Sequence, residues 1–219
     1  MSNWWMFAVG FLAQGLFSAR ILIQWIMSER ARRVLSPDVF WILSLVGSIL
    51  LYIYGWMRDD FPIILGQLIS YYIYIWNLNI KGVWQKVCRP ARIGIAALPV
   101  AALMMTASEG TAFVSRFLHN GDVPPLLLLF GSAGQIILTL RFVYQWHYSY
   151  RRHASVLPVG FWIISLTGSA IIVTYGIVRS DPVLILGQSV GLVAYIRNIM
   201  LHQKSRAAGL KRCKRPHKH

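Results

Sequence analysis

Hydrophobic positions fall into seven runs, residues 4–27, 39–57, 63–80, 93–107, 125–148, 159–178 and 183–202, parted by short polar or charged stretches. Most of these runs reach or approach the ~20 residues that a helix needs to cross a hydrocarbon layer of ~30 Å. They are continuous, without the period-two alternation of a membrane barrel. The expected fold class is therefore an all-α integral membrane protein. Run 93–107 is the short one, about 15 residues and rich in alanine.

The runs repeat. Residues 14–79 align with residues 135–200 without a gap, at a constant offset of ~121 and with roughly 25 identities in 66 positions. Matched pairs include Pro37/Pro158, Phe40/Phe161, Trp41/Trp162, Ser44/Ser165, Gly47/Gly168, Ser48/Ser169, Tyr54/Tyr175 and Asp60/Asp181. Such self-similarity marks a duplicated unit. The pattern predicts three-helix repeats over 1–80 and 125–202. Between them lie a basic linker, a linker helix and an outer loop (81–124), and a basic tail follows (203–219). Two such repeats are parallel if the linker helix crosses the membrane and inverted if it does not. With a crossing, roughly 16 of the 22 Lys and Arg gather on one side. The other side then holds Arg58, Arg116 and Arg179 with Asp59, Asp60, Glu109, Asp122 and Asp181. The positive-inside rule favours that arrangement, three plus one plus three helices, with the amino end outside and the carboxyl end in the cytoplasm.

Composition agrees: 56% of the residues are hydrophobic and 13% charged. The formal charge of +15 raises nucleic acid as a partner. Because the cations sit in short segments between apolar runs, orientation and attraction to anionic lipid account for them, and no nucleic acid is expected. Cys88 and Cys213 lie in basic segments placed in the cytoplasm, where no structural disulfide is expected. Residues 1–7 carry no Lys or Arg, so the first helix lacks the basic leader of a signal peptide and is expected to stay.

The polar residues inside the runs carry the functional signal. Arg20 and Gln24 lie one turn apart on one helical face, as do Arg141 and Gln145. Gln67, Ser70, Tyr74 and Asn77 form a stripe on the third helix, repeated as Gln188, Gly191, Tyr195 and Asn198. Ser44, Gly47, Ser48 and their mates suit close helix packing. An Arg near the bilayer centre costs from ~2.5 to more than 10 kcal/mol, so it usually faces a cavity or a partner. No acid lies within the apolar runs. Guanidinium matches phosphate bidentately, which makes an anionic headgroup one counterion; the alternative is that both arginines snorkel toward the cytoplasmic surface and cap carbonyls. Catalytic signals are poor. His147 has no mate in the first repeat, and Asp60 and Asp181 follow Arg58 and Arg179 in turns, where an ion pair is expected. No Gly-rich phosphate loop, zinc-ligand spacing or paired catalytic acids occur, and no cofactor or metal is expected.

Gln24-Trp25-x-x-Ser28, Pro37-x-x-Phe40-Trp41-x-x-Ser44-Leu45-x-Gly47-Ser48, Leu65-Gly66-Gln67 and Tyr74-x-x-Asn77 recur in the second half. In these motifs the chain resembles two tandem copies of the lipid A biosynthesis N-terminal domain family, related to the PQ-loop (SWEET-like) transporters. The resemblance implies parallel three-helix bundles, the bacterial inner membrane and a link to lipid A or other glycolipid metabolism. Ala13-Gln14 and Gly134-Gln135 stand where that wider family has Pro-Gln. The expected function is a transporter or flippase for an anionic glycolipid, such as a polyprenyl-phosphate-linked sugar or a lipid A precursor. Arg20 and Arg141 would hold phosphate. Gln24, Gln145, Gln67, Gln188, Tyr74, Tyr195, Asn77 and Asn198 would bond phosphate or sugar, and Trp25 and Trp146 would line or anchor the entrance. A membrane transferase that modifies lipid A and a non-catalytic partner of a glycosyltransferase are the alternatives.

Overall fold

The computed structural model describes residues 4–57, 61–106, 125–178 and 182–213. Arg58, Asp59, Asp60, Glu109, Arg116, Asp122, Arg179 and Asp181, the residues expected on the outer side, lie outside the described residues, as do tail residues 214–219. Every regular element described is helical: α1 (Trp4–Ala31), α2 (Asp38–Met57), α3 (Phe61–Ile80), a single 3-10 turn (Trp84–Lys86), α4 (Arg89–Thr106), α5 (Pro125–Arg151), α6 (Val159–Val178) and α7 (Pro182–Cys213). Three of them, over Ala8–Ala31, Asp38–Met57 and Val159–Val178, are long and apolar enough to cross a membrane. Large apolar side chains such as Phe11, Ile26, Ile136, Ile163 and Val193 stand exposed around the outside, a surface suited to lipid. The protein is an all-α membrane protein.

Helices α1, α5 and α7 run past the apolar segments that predicted them, to Ala31, Arg151 and Cys213. Hydropathy marks where a helix leaves lipid, whereas Arg, Lys, Gln and Ala continue a helix readily in water. The two ends at α1 and α5 are built alike. Arg32 and His153, at matching repeat positions, take φ of 51° and 49°. Arg33 N–H then bonds the Ser28 carbonyl and Ala154 N–H the Ser149 carbonyl, which is the Schellman cap. Helix α3 ends the same way, with Gly82 at φ 75°.

Each of six helices packs on two others: α1 on α2, α2 on α3, α3 on α5, α5 on α6, α6 on α7, and α7 back on α1. The repeats therefore close into a ring with a seam on either side, α7–α1 and α3–α5. Going up both helices, α1 and α7 meet at Gln14 and Gly187 and again at Gln24 and Asn198, and α3 and α5 meet at Gly66 and Thr139 and again at Asn77 and Gln145. All four helices thus point the same way, and the repeats are parallel. Close approach within each bundle needs small residues. A Cβ on Gly10 would stand 2.9 Å from the Tyr54 ring and one on Gly131 would stand 2.8 Å from the Tyr175 ring.

Helix α4 follows the first bundle and packs along it. Pro99, buried within it, has no N–H to give the Ile95 carbonyl one turn back. Tyr71 supplies the missing donor, its hydroxyl bonding Ile95 O at 2.7 Å. Tyr72 bonds Ala96 O at 3.0 Å and Tyr52 bonds Pro99 O at 3.0 Å. These contacts lay α4 along α3 and α2, away from the end where it starts. The second repeat has Val173, Leu192 and Val193 in place of the three tyrosines, so only one bundle can hold the helix this way. Tyr71→Phe should lower the unfolding free energy in mixed micelles by about 1 kcal/mol. In a Pro99→Ala background, where the helix regains its own donor, the same change should cost close to nothing.

Candidate functional site

Spacings of four put Arg20, Gln24 and Ser28 on one face of α1 and Arg141, Gln145 and Ser149 on one face of α5. Both faces point into the ring. Arg20 is 3% and Arg141 9% exposed, so neither reaches the surface as the snorkelling alternative required. Arg20 Nη1 donates to Ser44 Oγ at 2.6 Å and to Tyr74 Oη at 3.3 Å; Arg141 Nη1 donates to Tyr195 Oη at 3.1 Å. These partners are neutral hydroxyls. The Nε of each arginine is buried without a hydrogen-bond partner. Aromatic rings fill the rest of the surroundings. The Arg20 guanidinium lies 4.3 Å from the Phe17 centroid, 5.2 Å from Phe40 and 5.4 Å from Phe142. Arg141 lies 4.7 Å from the same Phe142 ring and 5.8 Å from Phe161. Ring faces attract cations, but they do not neutralise them. The two acids among the described residues are engaged elsewhere, Glu29 with Arg197 and Asp38 with Lys81 at 3.0 Å. The core thus holds two like charges against one ring with no carboxylate between them, an arrangement that favours an anion.

The amides do different work from that expected of them. Gln24 and Asn198 exchange two hydrogen bonds across the α7–α1 seam, at 2.9 and 3.1 Å. Gln145 and Asn77 do the same across α3–α5, at 2.9 and 3.1 Å. All four side chains are completely buried. Gln24 also reaches Ser28 and the Leu35 carbonyl, and Gln145 reaches Ser149 and the Val156 carbonyl, which ties each seam to the turn after the helix. Asn77 and Asn198 further donate to the Ile73 and Ala194 carbonyls. Residues read from sequence as ligand contacts therefore fasten one repeat to the other, and their bonding capacity is taken up by protein.

The remaining expected site residues separate. Tyr74 and Tyr195 stand at the arginines. Gln188 accepts from Ser169 at 2.8 Å, whereas the Oε1 of Gln67 and the hydroxyl of Ser48, their mates, are buried without partners. Trp25 packs on the core from the α7–α1 seam, and Trp146 lies on the outer rim of α3–α5 against Trp76 and Tyr150. His147 is exposed, away from the arginines. Sequence reading missed Phe142, whose mate is Ile21, because a single aromatic in an apolar run carries no signal. It also missed the Glu29–Arg197 pair, whose members are 168 residues apart and have Tyr150 and Trp76 as mates. Ser44, by contrast, was visible as a duplicated polar position.

With the duplicated core in view, comparison with known proteins gives a family. The profile of the Lipid A Biosynthesis N-terminal domain matches residues 9–79 and 130–200. The chain belongs to this family, as two tandem copies. It is 31% identical over 208 residues to the lipid-A-disaccharide synthase of Chlamydia pneumoniae, covering 91% of this chain and 34% of that protein. To the protein of the same name from Chlamydia abortus it is 30% identical over 211 residues, with 92% and 34% covered. The chain thus spans about a third of the length of the curated relatives it matches. No solved structure matches. The protein is a membrane protein related to lipid A biosynthesis, and its family fits the bacterial envelope. A Gln145→Leu substitution should cost about 1 kcal/mol, because it leaves one buried Asn77 amide hydrogen without an acceptor while the bonds to the Ile73 carbonyl and from Ser155 remain. A double-mutant cycle with Asn77→Leu, read by unfolding in mixed micelles, should show a coupling energy of at least 0.5 kcal/mol.

Proposed function

We propose that this protein binds an anionic glycolipid at Arg20 and Arg141 and carries it across the bacterial inner membrane, as a transporter or flippase. The observation that supports this reading most directly is the pair of buried guanidiniums with free Nε donors and, among the described residues, no carboxylate beside them. A phosphate would supply the missing negative charge and accept from both forks. Tyr74 and Tyr195 would bond the same group, and Gln67, with its unpartnered oxygen, would meet a hydroxyl. Guanidinium, hydroxyl and aromatic groups suit binding and release; they provide no acid and base for bond cleavage. The names of the relatives, lipid-A-disaccharide synthase, support a lipid-linked sugar as the class of cargo.

Arg30, Arg32, Arg33, Lys81, Lys86, Arg89, Arg151 and Arg152 gather at one end of the ring. We assign that end to the cytoplasm and the amino terminus to the periplasm. Parallel repeats meeting at two seams suit alternating access by rocking of one bundle against the other. Opening the basic end would part both amide pairs and the Glu29–Arg197 ion pair. At the other end the seams meet at glycines, Gly187 near Gln14 and Gly66 near Thr139 and Gln135.

A second reading, a non-catalytic partner that presents lipid to a glycosyltransferase, draws on the length of the relatives, about three times that of this chain. Proteoliposomes separate the two. The protein should speed the exchange between leaflets of a fluorescent, phosphate-bearing prenyl lipid, and Arg20→Gln/Arg141→Gln should abolish both exchange and binding. Unfolding stability in that variant should hold or rise, since two uncompensated buried charges are gone. Binding without exchange would favour the partner reading, and undiminished binding in the double variant would remove the site.

A further inference from the structure

At least four hydrogens at the two arginines have no acceptor among the described residues. Two belong to the buried Nε of Arg20 and of Arg141. Two belong to tyrosines: Tyr74 Oη accepts from Arg20 at 3.3 Å and Tyr195 Oη from Arg141 at 3.1 Å, and neither hydroxyl donates in turn. The serines beside them have no hydrogen to spare, since Ser44 gives its own to the Phe40 carbonyl at 2.5 Å and Ser165 gives its own to the Phe161 carbonyl at 2.6 Å. The open acceptors of the first bundle, Ser48 Oγ and Gln67 Oε1, stand one turn along α2 from Ser44 and two turns along α3 from Tyr74. Both guanidiniums lie against the Phe142 ring, 5.4 and 4.7 Å from its centroid, which bounds their separation at about 10 Å.

We infer that the anion held by Arg20 and Arg141 carries two negative charges, as a terminal phosphomonoester or a diphosphate, and that a lipid joined to its sugar through a single phosphodiester is a poor occupant. The inference rests on the anionic-lipid reading above and narrows it. Charge makes the first argument. A phosphodiester brings one negative charge and leaves one guanidinium uncompensated in a core without water, the costly condition of a buried ion pair that lacks a member. Glu29 and Asp38 cannot make up the difference, since they pair with Arg197 and Lys81. Oxygen count makes the second. The open hydrogens come from four helices, α1, α3, α5 and α7, and a group with more charged oxygens meets more of them. A phosphodiester offers two such oxygens, a phosphomonoester three, and a diphosphate at least four. The spacing admits either of the larger groups: two guanidiniums that grip opposite sides of one phosphate stand about 8 Å apart, and of a diphosphate about 10 Å. The class of lipid follows. The site fits a glycolipid with a free phosphate on its sugar, or a sugar carried on a lipid diphosphate.

Probes matched in hydrocarbon test this on the full chain in detergent, with binding read by native mass spectrometry at pH 8, where a phosphomonoester carries close to two charges. Farnesyl phosphate is set against its methyl ester, and farnesyl diphosphoryl glucose against farnesyl phosphoryl glucose. The dianion of each pair should bind one per chain and at least about tenfold more tightly than the monoanion, the gain expected of one more charge-assisted hydrogen bond. Arg20→Gln alone and Arg141→Gln alone should each erase this preference while the methyl ester keeps roughly its wild-type affinity, because one guanidinium matches one charge. If either variant fails to fold, the wild-type comparison decides alone. Equal affinities within a pair, a preference that survives both Gln variants, or two methyl esters bound per chain would overturn the dianion and leave the anionic-lipid reading standing. Inorganic phosphate that binds as tightly as farnesyl phosphate would uphold the dianion and make its source a free anion, which overturns the lipid reading. If the wild-type chain binds neither farnesyl phosphate nor its ester, the lipid reading fails as well. Inorganic phosphate then decides the dianion alone: binding lost in either Gln variant upholds it, and absent or unchanged binding overturns it.

Discussion

A buried side-chain amide brings two donor hydrogens and an acceptor oxygen into a place without water, and lipid offers no substitute partners. In this chain Gln24 meets Asn198 and Gln145 meets Asn77, each pair exchanging two bonds. These pairs set the register of one repeat against the other, because a slip of one residue on either helix would strand four polar groups. The direction of the helices, the closure of the ring and the placement of the turns at Leu35 and Val156 all depend on them. Apolar packing alone would leave the two bundles free to slide, since lipid tails solvate Leu and Ile as well as a neighbouring helix does.

Within the frame held by those amides sits a destabilising element, two arginines of like charge on one aromatic ring. Hydroxyls and ring faces lessen the burden without removing it. A protein selected only for stability would carry leucine or methionine there. The same contrast separates Gln24 from Gln67, for the first has its bonding capacity taken up by protein, whereas the second keeps a buried oxygen without a partner. The polar interior thus holds side chains with unpartnered atoms, Arg20, Arg141 and Gln67, and the amides paired across the seams.

Duplication made the frame, and substitutions private to one copy gave it a direction. Tyr52, Tyr71 and Tyr72 hold α4 on the first bundle only. Ser36 accepts from the Trp41 indole at 2.9 Å, while its mate Leu157 leaves the Trp162 indole buried without a partner. Glu29 and Arg197 lock one seam, and Tyr150 and Trp76 replace them on the other. Each of these changes leaves the core motif intact and alters what surrounds it.

Much of this was legible in the chain. Long apolar runs specify helices, because backbone groups in lipid must be satisfied within the segment. A gapless repeat specifies two equivalent bundles, and Arg20 and Arg141 stand out because charge is costly at that depth. Charge asymmetry also pointed to parallel repeats before Tyr71 and Pro99 showed how the linker helix lies. Which polar residues face the other repeat was decided only by tertiary structure. Gln24, Asn77, Gln145 and Asn198 occupy the same faces as Arg20 and Tyr74, and one-dimensional spacing cannot tell an empty neighbour from an amide brought from 174 residues away. The difference between the two seams was hidden for the same reason. Glu29 and Arg197, like Trp76 and Tyr150, gain their meaning from partners that only the closed ring brings together.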